Sequence, residues 1–118
     1  MTIIADAVVI LVAILHAYFL VLEMFLWDKP AGMKAFNLTR EKAAATKVMA
    51  ANQGLYNGFL AAGLAWGVFQ GTDGTEFKIF FLLCVIIAGI YGALTASKKI
   101  LFIQALPACI GLILVLST

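Results

Sequence analysis

Apolar residues along this 118-residue chain gather in long blocks instead of recurring at helical or strand period. Residues 1–27 hold only Asp6, His16 and Glu23 as titratable side chains, and residues 48–72, 79–97 and 100–118 carry no charge. A helix needs about 20 apolar residues to cross a bilayer core of roughly 30 Å. Four blocks near that size predict four membrane-spanning helices, over about 3–27, 40–70, 76–97 and 100–116. Lipid offers no partner to an open sheet edge, and no alternating barrel pattern is visible. The expected fold is therefore all-α: a four-transmembrane-helix up-down bundle forming one domain over residues 1–118.

The breaks between blocks agree. Asp28-Lys29-Pro30 stops the first helix, since proline cannot continue the hydrogen-bond ladder. Residues 28–39 read as a polar connection in which Met33, Phe36 and Leu38 dip into the interface. Thr39 is a good N-cap for the second helix. Residues 71–74, GTDG, read as a tight turn, and Lys98-Lys99 as a very short loop. Pro107 lies inside the fourth block and predicts a kink there.

Charge sets the orientation. Lys29, Lys34, Arg40, Lys42 and Lys47 lie in or beside the first connection, and Lys98 and Lys99 make the third. The second has Lys78 beside Asp73 and Glu76. Lysine and arginine collect on the cytoplasmic side. Both termini are thus expected to be extracellular or periplasmic, in a multi-pass protein of a bacterial inner membrane. Composition fits this class: 64% of residues are hydrophobic and the mean hydropathy is +1.08. The first block lacks a basic leader and outruns a signal-peptide core. A formal net charge of +2 calls for no nucleic-acid partner. Cys84 and Cys109 sit in apolar blocks and read as core-filling thiols.

The question of chemistry is raised by LHAYFLVLEMFLW, residues 15–27, an apolar run that carries His16 and Glu23. Seven residues return a helix to within about 20°, so the two share a stripe. A charged group facing lipid at mid-depth costs at least about 2.5 kcal/mol. The stripe is therefore expected to face inward, toward Gln53 and Asn57 on one face of the second helix and Asn52 and Tyr56 on an adjoining one. Counting about 1.5 Å per residue from Trp27, Lys47 and Lys99 puts Glu23 about 6 Å deep, Asn52, Gln53 and Gln104 near 8–9 Å, and Tyr91 near 10 Å. Asn57 and His16 come out deeper, near 15–16 Å. The candidate ligand-binding set is His16, Glu23, Asn52, Gln53, Tyr56, Asn57, Tyr91 and Gln104, a polar pocket in the cytoplasmic half.

The ligands needed for a zinc or haem site are absent from so short a list, and no metal or cofactor is expected. Nor does any Walker loop, dinucleotide fingerprint, nucleophile elbow or metalloprotease box occur. Three functions fit the pocket. It could receive or transport a small amphipathic or cationic molecule anchored by Glu23. It could be a membrane enzyme for a lipophilic substrate, with His16 and Glu23 as acid and base. It could be a structural or accessory subunit whose polar cluster locks the bundle. Membrane lipid is the expected partner, and Gly54/Gly58 and Gly63/Gly67 spacings allow close helix packing or a homo-oligomer.

LHAYFLVLEMFLW (15–27), FNLT (36–39), AANQGLYNGFLAAGL (50–64) and QALPA (104–108) together resemble the bacterial membrane family catalogued as domain of unknown function 1304. The resemblance covers nearly the whole chain. It implies a small four-helix inner-membrane protein and no particular activity.

Overall fold

The computed structural model describes residues 2–118, and it is all-α. Among the described residues there are five α-helices: α1 (Thr2–Met24), α2 (Pro30–Ala35), α3 (Arg40–Phe69), α4 (Thr75–Thr95) and α5 (Leu106–Leu116). A 3-10 turn, Gly71–Gly74, precedes α4, and a π turn, Leu101–Ala105, leads into α5. Two helical stretches are long and apolar enough to cross a membrane, Thr2–Met24 and Gly71–Thr95. Helix α3 has the length, but charges in its first turns and amides and glycines further on dilute its apolar character.

Three local features differ from the sequence expectation, each for a physical reason. Helix α1 ends at Met24, before Trp27: the amides of Phe25 and Leu26 both donate to the Val21 carbonyl, at 3.0 and 3.2 Å, which closes the helix a turn early. The polar connection contains α2. Proline at its first position costs no hydrogen bond there, and Asn37 at φ 53° closes its other end, where Leu38 N–H donates to Met33 O at 2.8 Å. Before Pro107 the ladder widens to a π turn, with Leu106 N–H donating to Leu101 O. Proline has no N–H for an i−4 carbonyl, and a widened turn is one way a helix accommodates that gap. Thr39 caps α3 as the sequence predicts, accepting from Lys42 N–H at 3.1 Å.

The chain forms two compact units. One comprises the N-terminal stretch through Ile14 and Leu60–Thr118. Its core is Ala5, Val9 and Val12 of α1, Leu64 of α3, Leu82 and Val85 of α4, and Ala108 and Val115 of α5. Close backbone approach is built in: a Cβ at Gly89 would stand 2.9 Å from the Ala105 backbone nitrogen. Lys78 is buried here and donates to Asp6 Oδ1 at 2.9 Å.

The other unit is Leu15–Phe59. Helix α2 folds back on the end of α1, where a Cβ at Gly32 would lie 2.0 Å from Leu26 O. Trp27 clamps the connection: its indole Nε1 donates to Thr46 Oγ1 at 3.0 Å, and its ring lies 4.9 Å from that of Phe36. Lys47 Nζ stands 3.1 Å from Asp28 Oδ2, and this hydrogen bond holds the Asp28 carboxyl below its ordinary range. Because the folded-state value is the lower one, the pair stabilises above the usual aspartate range and loses that contribution as pH falls through it. Both groups are solvated, so salt screens them. The difference in thermal stability between wild type and Lys47→Ala should be measurable at pH 7 in low salt. It should shrink below about pH 4, and shrink likewise in high salt.

Candidate functional site

Burial along α1 follows a heptad-like stripe. Ala5, Val9, Val12, His16 and Glu23 are all buried, at spacings of four, three, four and seven. His16 is 0% exposed and Glu23 8%, so the two titratable groups of LHAYFLVLEMFLW do turn inward. On α3, Ala43, Ala50, Asn57 and Leu64 are buried at a spacing of seven. Asn57 thus occupies a core position that an alanine or leucine fills elsewhere on the same helix.

The Leu15–Phe59 unit brings Glu23 and Asn57 together: the Asn57 amide donates to Glu23 Oε1. Two glycines make this meeting possible. A Cβ at Gly54 would stand 2.6 Å from Met24 Cγ, 3.1 Å from Glu23 Cβ and 3.2 Å from Leu20 O. A Cβ at Gly58 would stand 2.6 Å from Leu20 Cδ1. Helix α3 therefore presents a smooth surface, and the short Asn57 side chain reaches the carboxylate. The sequence marks Gly54 and Gly58 for close helix packing or a homo-oligomer, and their place beside Asn57 on the helix is the signal for a role in the site. His16 lies one heptad before Glu23, about 10 Å along the axis. Its ring meets Phe19 edge-on at 5.5 Å.

The other expected members are placed differently. Gln53 is exposed although it sits four residues before Asn57. The buried stripe of α3 runs through Ala50, Gly54 and Asn57, which leaves Gln53 on its flank. Asn52 is exposed and its amide turns back along its own helix, donating to Val48 O at 3.0 Å. Tyr56 is exposed, its ring 6.0 Å from Phe59. Tyr91 and Gln104 belong to the other unit; Tyr91 is exposed on α4, and Gln104 is half-buried in the π turn. Of the eight expected residues, His16, Glu23 and Asn57 are the buried ones, all within the Leu15–Phe59 unit.

The Asn57–Glu23 bond sets these two side chains beside each other, where the residue count predicts them at different levels. The count treated Trp27 as helical and level with Lys47. Helix α1 actually ends at Met24, and the turn at 25–29 and the reach of the indole to Thr46 cover the remaining distance. Helix α3 therefore travels further before it passes Glu23. No cluster of three or more metal-ligating side chains occurs among the described residues. A cavity of about 440 Å³ lies in the other unit and is lined by none of the eight expected residues.

The profile of the family described as protein of unknown function DUF1304 matches residues 10–116. The chain belongs to that family. This DUF1304 member is also similar to the uncharacterized protein YpaA of Lactococcus lactis subsp. lactis (strain IL1403), with 32% identity over 115 residues, covering 96% of this chain and 97% of the relative. No solved structure matches it. The matched span includes His16, Glu23 and Asn57 but leaves out Asp6.

Proposed function

We propose that this DUF1304 protein is a multi-pass protein of a bacterial inner membrane that binds, and in a transport cycle would carry, a small amphipathic cation anchored by Glu23. Helices α1, α3, α4 and the π turn with α5 would be its four spans. The basic connections would lie in the cytoplasm and both ends outside. The observation that carries the reading is a carboxylate held in the interior of a helical unit by an uncharged amide. The ion pairs of the described residues, Lys47–Asp28 and Lys78–Asp6, engage other carboxylates. Glu23 is thus oriented by Asn57 and keeps the capacity to take a proton or an organic cation. Buried ionisable groups in membrane helices mark such pathways.

The separation of His16 from Glu23 favours a carboxylate that works with Asn57 over one paired with the imidazole as an acid–base couple. A structural role remains the second reading, supported by the same Asn57–Glu23 bond, which also ties α1 to α3 within the unit. Thermal unfolding in detergent with and without tetraphenylphosphonium separates the two. A ligand at 100 times its Kd stabilises by about 2.7 kcal/mol. Wild type should shift upward at saturating probe and Glu23→Gln should shift far less. Equal shifts in the two proteins, or no shift in either, would leave the structural reading.

A further inference from the structure

The cavity noted above opens at the end of the other unit where α1 begins, α5 ends and the 3-10 turn enters α4. Its lining includes Thr72, Thr75 and Thr118, the buried Lys78, and the apolar side chains Ile79 and Leu116. Lys78 is 5% exposed. Its stem runs over Gly67, where a Cβ would meet Lys78 Cγ at 2.9 Å, and its ammonium is fixed on Asp6 Oδ1 at 2.9 Å. An ammonium has three N–H donors, so a bond to one carboxylate oxygen does not exhaust it. The hydroxyls have the opposite bias. Thr75 donates to Thr72 O at 3.1 Å and Thr118 to Val115 O at 2.7 Å, which leaves their oxygens to accept.

We propose that this cleft seats the headgroup of a zwitterionic phospholipid, with the phosphodiester on Lys78, the headgroup ammonium on the threonine oxygens, and the start of an acyl chain on Ile79 and Leu116. A headgroup bearing negative charge alone fits less well. Asp6 already faces Lys78 and offsets its charge, so the cleft carries no net positive charge to hold an anion alone. The volume of about 440 Å³ suits a polar head of that size. The site also lies where the apolar stretch Gly71–Thr95 begins, the level at which a bilayer places its headgroups. The inference shares with the reading above the premise that the chain lives in a bilayer, and it uses none of the Glu23 residues.

Native mass spectrometry of the detergent-released protein tests it, with phosphatidylethanolamine, phosphatidylglycerol and free phosphoethanolamine as probes. Wild type should retain phosphatidylethanolamine at least fivefold over phosphatidylglycerol. Thr72→Trp, which fills the cleft from its exposed side, should abolish that preference, and Thr75→Val should reduce it. Asp6→Asn combined with Lys78→Met removes both charges together and should also abolish it. Glu23→Gln should leave the preference unchanged, so loss of cation binding there does not bear on the cleft. Equal retention of the two lipids by wild type would overturn the proposal, as would an unchanged preference in Thr72→Trp. Free phosphoethanolamine binding as tightly as the lipid would overturn the lipid as occupant.

Discussion

Asn57→Leu should destabilise the protein by about 2 kcal/mol, the cost of stranding a buried group that had bonded to a chargeable partner. An ordinary interhelical hydrogen bond in a membrane protein averages only about 0.6 kcal/mol. The larger figure is expected because leucine removes the donor and leaves the Glu23 carboxyl buried in its place. Glu23→Gln is the informative partner substitution. Its amide oxygen can still accept from Asn57, and it introduces no cavity, so it should cost under about 1 kcal/mol. The double variant Glu23→Leu/Asn57→Leu should recover part of the loss, since replacing both members of a buried pair by apolar groups is often close to neutral. Chemical unfolding of wild type, Asn57→Leu, Glu23→Leu and the double variant completes a double-mutant cycle. A coupling energy above about 0.5 kcal/mol is expected for residues in contact, and strict additivity would mean that the Asn57–Glu23 bond contributes nothing to folding.

The stripe that carries Glu23 was legible because its cause is periodic. A spacing of seven between His16 and Glu23 fixes their common face whatever the rest of the chain does, and both are buried. The partner was legible only as one of several amides. Asn52, Gln53 and Asn57 all carry side-chain amides, and their levels are counted from Lys47 while that of Glu23 is counted from Trp27, a residue that lies beyond the end of α1. Which amide meets the carboxylate depends on the few ångströms at which α1 stops and on the glycines that set the line of approach. Neither is a periodic property. The same limit hid the Lys78–Asp6 pair. Both residues could be assigned to one end of the helices, but their contact spans 72 positions and follows from packing in three dimensions. Helix α2 was missed for a different reason. Proline in the Asp28-Lys29-Pro30 run predicts the stop of one helix, whereas Pro30 starts the next.

Gly74→Ala should be the most damaging single-methyl change in the unit that contains the cleft, costing about 3 kcal/mol, at the upper end of overpacking effects. A Cβ there would stand 1.8 Å from Gly67 O and 2.7 Å from its carbonyl carbon. Both obstacles are backbone atoms of α3, so no side chain can rotate away, and the 3-10 turn has to lift off the helix. Gly71 in the same turn provides the contrast. Nothing lies within 4 Å of a Cβ built on it, but its φ is +65°. Alanine at that position pays only the left-handed backbone penalty of about 1–2 kcal/mol, and asparagine, which tolerates that conformation, should pay less. The two glycines thus serve one turn for separate reasons, close approach and handedness. Lifting the turn also disturbs the seat of Lys78, whose stem lies over Gly67. Gly74→Ala should therefore lose the lipid preference along with its stability, whereas Gly71→Asn, at a position that lines the cleft, should keep most of its stability. Thermal unfolding and lipid retention measured on the two variants check this. Similar losses of stability in both would mean that the turn's handedness, and not its contact with Gly67, governs this end of the protein.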